Sequence, residues 1–391
     1  MLALFAIFLR LGLSSFGGPV AHLSYFRDEF VGRQRWLGED EYADLVALCQ
    51  FLPGPASSQV GFAIGVSRYG VLGGLAAWTG FTLPSALLLF GFAQLAPQLH
   101  GPLAIAALHG LKIVAVAVVA QAVWGMAQTL APDAPRATIA LLAALIVIFA
   151  AGSIGQITAI VSGAGLGLVL CRGFAPSTRG TLSFRLSRRF GVVALGAFAA
   201  ILFAAPLLAA ALDSHGLRVF NAFYRSGALV FGGGHVVLPL LKDAVVTPGW
   251  LGADKFLAGY GAAQAVPGPL FTFAAYLGAT LASPPNELSG AALALIAIFL
   301  PGMLILLGAL PFWDRLRTRR DAQSLMRGVN AAVVGILGAA LYDPVWTGAI
   351  FSARDFVLAL GGFVLLTAWK CPPWIVVLGT VVGAVTLAAI G

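Results

Sequence analysis

The chain has 391 residues, 60% of them hydrophobic and only 10% charged, with a formal net charge of +8; its mean hydropathy is +0.94. A soluble domain is about a quarter charged, so the composition excludes a soluble globular protein and points to a polytopic membrane protein. The positive charge then reports an asymmetry between loops rather than nucleic-acid binding.

Three cysteines, Cys49, Cys171 and Cys371, lie far apart and lack metal spacing, which argues against a disulfide framework or a zinc site. The first residues lack a basic n-region and Arg10 interrupts the apolar run, so they do not read as a cleaved signal peptide. Lipid admits only helices or closed barrels. The apolar runs, about 15 to 25 residues long, exceed barrel strands, so the expected class is all-α.

In chain order, the first apolar segment runs from Leu2 to Tyr25 and carries Arg10 and a Gly17-Gly18-Pro19 break. A charged stretch, 27–41, precedes a second segment, 42–66, broken at Pro53-Gly54-Pro55. Segments near 71–96, 103–130, 137–151 and 154–171 complete the first half. A linker with Arg172, Arg179, Arg185, Arg188 and Arg189 leads to an apolar segment, 190–212, that has no counterpart earlier. Segments near 218–241, 255–281, 288–311, 325–342, 355–369 and 374–390 follow. The expectation is thirteen membrane segments: a first repeat over 1–171, a linker over 172–216 and a second repeat over 217–391. Whether the broken segments span or re-enter stays open at this point.

The repeat is legible residue by residue. An offset of 215 pairs Arg10 with Arg225, Gly12 with Gly227, Phe16 with Phe231 and Gly17 with Gly232. Trp36-Leu37-Gly38 matches Trp250-Leu251-Gly252, and Gln50, Pro53, Gly54 and Pro55 match Gln264, Pro267, Gly268 and Pro269. Leu83-Pro84 matches Leu300-Pro301, and Gly110 and Lys112 match Gly328 and Asn330. Seven crossings between equivalent points, an odd number, make the repeat an inverted one, the architecture in which transporters place a substrate site between halves. With the N-terminus on one side, fourteen loop cations fall there and five on the other. The positive-inside rule then puts the N-terminus in the cytoplasm and the C-terminus outside.

Arg10 and Arg225 are the first candidates for chemistry. An arginine in a bilayer segment costs at least about 2.5–3.5 kcal/mol and normally faces a cavity or a partner. One reading has both guanidinium groups gripping an anion through their planar forks; the other has Arg10 snorkelling to the interface. Four breaks, at Gly17-Gly18-Pro19, Pro53-Gly54-Pro55, Gly232-Gly233-Gly234 and Pro267-Gly268-Pro269, free helix N-termini that attract anions. Ser57, Ser58 and Thr272 would add hydroxyl donors, against the alternative that glycine and proline merely permit kinks and close packing. Gln50 and Gln264 read as amides for substrate or for freed backbone. Lys112 opposite Asn330 fits an asymmetric site, or a lysine snorkelling toward Gly101. Asp28 and Asp243, each following a base, read as ion pairs or proton-coupling groups. Asp44, His22 and His235 are further coupling candidates. No Walker loop, His-Glu-x-x-His or Cys-x-x-Cys is present, so neither an enzyme nor a cofactor is expected.

The motifs Phe16-Gly17-Gly18-Pro19-x-Ala21-His22, Arg35-Trp36-Leu37, Leu52-Pro53-Gly54-Pro55, Phe231-Gly232-Gly233-Gly234, Gly259-Tyr260-Gly261-x-x-Gln264-Ala265-x-Pro267-Gly268-Pro269 and Gly328-Val329-Asn330 resemble the chromate ion transporter family in its two-domain form. The resemblance covers both halves. It implies a bacterial inner-membrane exporter that lowers cytoplasmic chromate and is driven by an ion gradient. Chromate, a tetrahedral dianion, is the expected partner; sulfate or another oxyanion, a passive anion channel and a membrane-embedded reductase are the competing readings. A homodimer stays open.

Overall fold

The computed structural model describes residues 1–150, 152–172, 184, 186–316 and 318–390. Arg179 and Arg185 of the basic linker lie outside the described residues. Among those described, the chain is helical with no strand. The first half comprises α1 (Leu2–Ser14), α2 (Gly18–Arg27), α3 (Glu39–Phe51), α4 (Ala56–Leu95), α5 (Pro102–Leu130), α6 (Ala134–Phe149) and α7 (Ser153–Leu170). Then come α8 (Arg188–Ala211), α9 (His215–Ala228), α10 (Val237–Leu241), α11 (Ala253–Ala263) and α12 (Phe273–Ala279). The chain ends with α13 (Glu287–Ala309), α14 (Trp313–Leu316), α15 (Arg320–Ala340), α16 (Ala353–Thr367) and α17 (Pro373–Ile390). Six described stretches are long and apolar enough to cross a membrane: 56–98, 102–130, 188–211, 287–312, 320–346 and 373–390.

Each of the four broken segments folds back on itself as a hairpin, the alternative to a through-running segment that the sequence left open. In the first, the Phe8 ring stacks on Phe30 at 5.0 Å and meets Phe26 edge-on at 5.7 Å, so α1 and α2 lie antiparallel with their turn at Ser15–Gly17. In the second, the Arg68 guanidinium lies 4.8 Å from the Trp36 ring, closing α3 against the first arm of α4. In the third, His215 meets Trp250 at 5.0 Å and the Ser226 hydroxyl lies 3.4 Å from the Leu240 carbonyl. In the fourth, the Tyr276 hydroxyl donates to the Lys255 carbonyl at 3.0 Å and Phe256 packs on Phe273. The chain reverses once more inside α4, at Tyr69 and Gly70 (φ 66°, ψ −160°). There Gly65 packs so tightly on Gly73 that a Cβ would strike its carbonyl.

Local chemistry explains the turns. Proline fixes φ and lacks an N–H, and it pushes the preceding residue out of the helical region; Leu52 accordingly takes φ −85°, ψ 151°. Gly17, Gly54, Gly232 and Gly268 have φ of 102°, 122°, 74° and 95°, a region that only glycine enters without strain.

The two halves interlock. Helix α5 packs against α16 and α17 of the second half, while its counterpart α15 packs against α6 and α7 of the first. Small residues allow the approach: a Cβ on Gly328 would overlap the Gly163 carbonyl, and one on Gly110 would lie 2.8 Å from the Val381 Cα. Helix α8 packs on α9 and α13. At the start of α6 the Arg136 side chain and backbone N–H bond to Asp133, and the side-chain bond above all holds this carboxyl below its ordinary range.

The second hairpin makes a testable prediction. Single cysteines at Gln34 and Ser67 should both react with an impermeant maleimide from the same face of sealed vesicles. Reaction from opposite faces would contradict the reversal at Pro53–Pro55.

Candidate functional site

The tips of the four hairpins converge. The Gly54 N–H donates to the Val230 carbonyl at 2.7 Å, and the Gly268 N–H donates to the Ser15 carbonyl at 2.9 Å. Gly54 and Gly268 are repeat partners, and so are Ser15 and Val230 at the 215 offset. The two bonds are therefore one contact made twice, each Pro-Gly-Pro tip donating to the first tip of the other repeat. Backbone freed from helix in an apolar setting needs such partners. Each tip glycine also nests on the other repeat's proline kink. A Cβ at Gly54 would lie 3.0 Å from the Gly302 Cα, beside Pro301, and a Cβ at Gly268 would lie 2.8 Å from Ser85 Oγ, beside Pro84.

Around this junction the polar side chains come almost wholly from the first repeat. Ser15, His22, Ser57, Ser58, Gln59, Thr82 and Ser85 are all buried. Their repeat counterparts are Val230, Val237, Phe271, Thr272, Phe273, Phe299 and Gly302, so only Thr272 keeps a hydroxyl. His22 lies 3.2 Å from the Ser15 carbonyl through Nε2 and 3.4 Å from Ser57 Oγ through Nδ1, with its ring edge-on to Phe81. Gln59 Nε2 donates to the Pro53 and Gly302 carbonyls. The hydroxyls of Ser15, Ser58 and Thr82 are buried without a protein partner. The Gln59 Oε1 beside them is unpartnered too, and such a cluster of orphan polar atoms can receive another polar group.

The other expected residues fall as follows. Gly18 and Gly233 flank the tips with φ of 75° and 151°, and Pro267 and Pro269 bracket Gly268. Thr272 is fully buried and bonds the Pro269 carbonyl at 2.7 Å. Gln264 caps its own helix through the Tyr260 carbonyl. Gln50, expected to be a buried amide, is exposed; the buried amide is Gln59. Lys112 pairs with the exposed Asp254 at 2.8 Å. Asn330 is partly buried, with its Oδ1 unpartnered. Neither Asp28 nor Asp243 pairs with the base beside it: Arg27 binds Glu39 and Lys242 binds Asp343. Asp28 is exposed, while Asp243 accepts a bond from Gln156 at 2.6 Å. Buried Asp44 accepts the Trp313 indole N–H at 3.0 Å. His235 bonds the Tyr260 hydroxyl at 2.7 Å.

The two arginines have different surroundings. Each stands five residues before its tip contact, about 7.5 Å along the helix. Arg10 Nη2 binds Glu29 Oε2 at 2.6 Å, and the Glu29 side chain is only 7% exposed, a partner the sequence reading did not assign. Arg225 lines a cavity of about 410 Å³ together with Arg218, Asn221 and Trp250.

Glu29, Gln59, Thr82 and Ser85 are not among the residues the sequence singles out, because the repeat gives them no like counterpart: Ala244, Phe273, Phe299 and Gly302 stand in their places. Their signal was a polar residue inside an apolar run.

Interlocked halves, hairpins meeting tip to tip and a polar junction inside an apolar body define a multi-pass α-helical membrane protein. The chromate transporter family model matches residues 2–168 and again 217–385, so the chain belongs to that family. It is 30% identical to a chromate transport protein of Pseudomonas aeruginosa, over 94% of this chain and 87% of the relative. It is 28% identical to a probable chromate transport protein of Synechococcus elongatus, over 97% and 93%. A chromate transport protein of Cupriavidus metallidurans is 26% identical over 85% and 80%. No solved structure matches the chain.

Proposed function

We propose that the chain is a secondary active transporter that exports chromate from the cytoplasm by alternating access at the hairpin-tip junction. The observation that carries this reading is the reciprocal pair of tip bonds, Gly54 to Val230 and Gly268 to Ser15. A contact duplicated by internal symmetry supplies two related states, one bond opened and the other kept, then the reverse. The junction offers hydroxyls from Ser15, Ser57, Ser58, Thr82 and Ser85, together with tip backbone, for a tetrahedral oxyanion. His22 and His235, next to the tips, are the titratable groups best placed to couple transport to protons.

On this reading nine helical passes cross the membrane: the second arm of α4, then α5, α6, α7, α8, α13, α15, α16 and α17. The hairpins enter and leave on one face. Five passes rather than seven separate the repeats; the number is still odd, so the repeats remain inverted. The regrouping also sharpens the charge asymmetry. Arg27, Arg33 and Arg35 join Arg68 on the N-terminal side, which then holds twelve of the described loop cations. Only Arg218, Lys242, Lys255 and Arg354 lie on the other side. This supports a cytoplasmic N-terminus and an external C-terminus in the inner membrane.

The test is uptake of labelled chromate into everted vesicles, with and without energisation and with sulfate as competitor. Uptake that requires energisation is expected. Uptake that follows only the chromate gradient would replace the reading with a passive channel, and full competition by sulfate would widen the substrate to oxyanions in general. In the same assay Arg10→Gln should lose most activity, because removing one partner of a buried pair costs roughly 3–5 kcal/mol at full burial and less for a half-exposed arginine. The double variant Arg10→Gln/Glu29→Gln should regain it. A double variant as inactive as the single would instead put Arg10 on the substrate.

A further inference from the structure

The repeat comparison isolates one change of charge. Arg10 and Arg225 correspond at an offset of 215, and the same offset carries Glu29 to Ala244. In the first hairpin Glu29 neutralises Arg10 at 2.6 Å. In the third hairpin the place of that carboxylate is taken by Ala244, and the cavity of about 410 Å³ is lined by both Arg225 and Ala244. Arg225 has no ion pair or side-chain hydrogen bond among the described residues. Asn221 and Arg218 lie one and two turns back along α9 on the same wall. Arg218 is held by exposed Asp213 at 2.7 Å, and the Asn221 Oδ1 is buried without a partner.

We propose that this cavity, between the third hairpin and α8, is a binding site for a tetrahedral oxyanion, which takes the place of the carboxylate that the second repeat lacks. A guanidinium in an apolar setting is costly unless paired, and its fork matches an oxyanion edge through two parallel bonds. In the first repeat that need is met from within the chain; in the second it is met by a ligand. The site lies behind the tip junction rather than in it. It would hold the anion on one side of the junction only, so the two faces of an otherwise symmetric carrier are chemically unequal. The ligand class follows from the proposed function, whereas the test requires binding alone.

The shared chemistry, a singly or doubly charged tetrahedral oxyanion, is offered by free chromate or sulfate and also by a lipid phosphate. Two measurements on the whole chain in nanodiscs separate these sources. One is equilibrium binding of labelled chromate and sulfate in pure phosphatidylcholine; the other is retention of phosphatidylglycerol, read by native mass spectrometry. Ala244→Glu, which restores the internal counter-ion, should weaken oxyanion binding by about 30-fold or more, as should Arg225→Gln, the scale of losing one partner of a charge pair. Ala244→Gln, of similar bulk but neutral, should fall less far. Loss in the chromate and sulfate arm assigns the site to a free ion; loss confined to phosphatidylglycerol assigns it to a headgroup. Wild-type behaviour of Ala244→Glu and Arg225→Gln in both arms overturns the proposal, as does an equal loss in the Glu and Gln variants with Arg225→Gln unaffected. Chromate uptake in vesicles is scored separately, so failure of transport with intact binding counts against the proposed function alone.

Discussion

Gly54→Ala should lower chromate transport about 100-fold while leaving the amount of membrane-inserted protein nearly unchanged, two factors of ten at about 1.4 kcal/mol each. Gly54 has φ 122°, where a Cβ-bearing residue is strained by roughly 1–3 kcal/mol. The added methyl would also lie 2.9 Å from Gln59 Nε2 and 3.0 Å from the Gly302 Cα. It would push the tip off the kink of α13 and lengthen the bond to Val230. Gly268→Ala should behave alike, because its methyl would meet Ser85 Oγ at 2.8 Å. Gly18→Ala provides the scale: its φ is 75° but nothing lies within 4 Å of the added atom, so only backbone strain remains and the loss should be several times smaller. The measurement is initial uptake rate normalised to protein in everted vesicles. Equal rates for Gly54→Ala and the wild type would remove the tip contact from the mechanism.

The second large effect concerns assembly rather than transport. Gly328→Leu should abolish accumulation of a monodisperse protein in detergent, whereas Gly361→Leu should be tolerated. Gly328 lies where α15 crosses α7, and an added Cβ would overlap the Gly163 carbonyl and come within 2.6 Å of the Gly167 Cα. Both neighbours are helix backbone, which cannot move aside as a flexible side chain can. Overpacking a close contact costs typically 1–3 kcal/mol and more when backbone is involved, and the same crossing joins the two halves. Gly361, on α16, has nothing within 4 Å of an added Cβ. Size-exclusion profiles of the two variants decide the point. A normal profile for Gly328→Leu would mean that the interlock of α15 with α6 and α7 is not needed for folding.

The class of protein and its internal repetition were legible in the order of residues alone. Hydropathy sets which residues avoid water, and period and length then leave helix as the only backbone solution. The four breaks were also legible, because proline and glycine act on their own φ and ψ whatever surrounds them. The resemblance to the chromate transporter family rested on the motifs Phe16–His22, Leu52–Pro55 and Gly259–Pro269, and the family model matches both halves that carry them.

What the tertiary structure alone decided is the direction of the chain after each break. A break tells where helix ends, not whether the next helix continues or returns; Phe8 against Phe30 and Arg68 over Trp36 settle that. Pairing was equally hidden. Arg10 belongs to Glu29, Lys112 to Asp254 and Lys242 to Asp343, and no adjacent charge in the sequence foretold these partners. The repeat symmetry holds for backbone, since Gly54 and Gly268 play one role. It misled for side chains, because the polar lining of the junction sits mostly on the first repeat, and of its counterparts only Thr272 is polar, the others being valine, phenylalanine and glycine. Backbone geometry must repeat for two halves to fit together, whereas a single substrate needs its chemistry supplied only once.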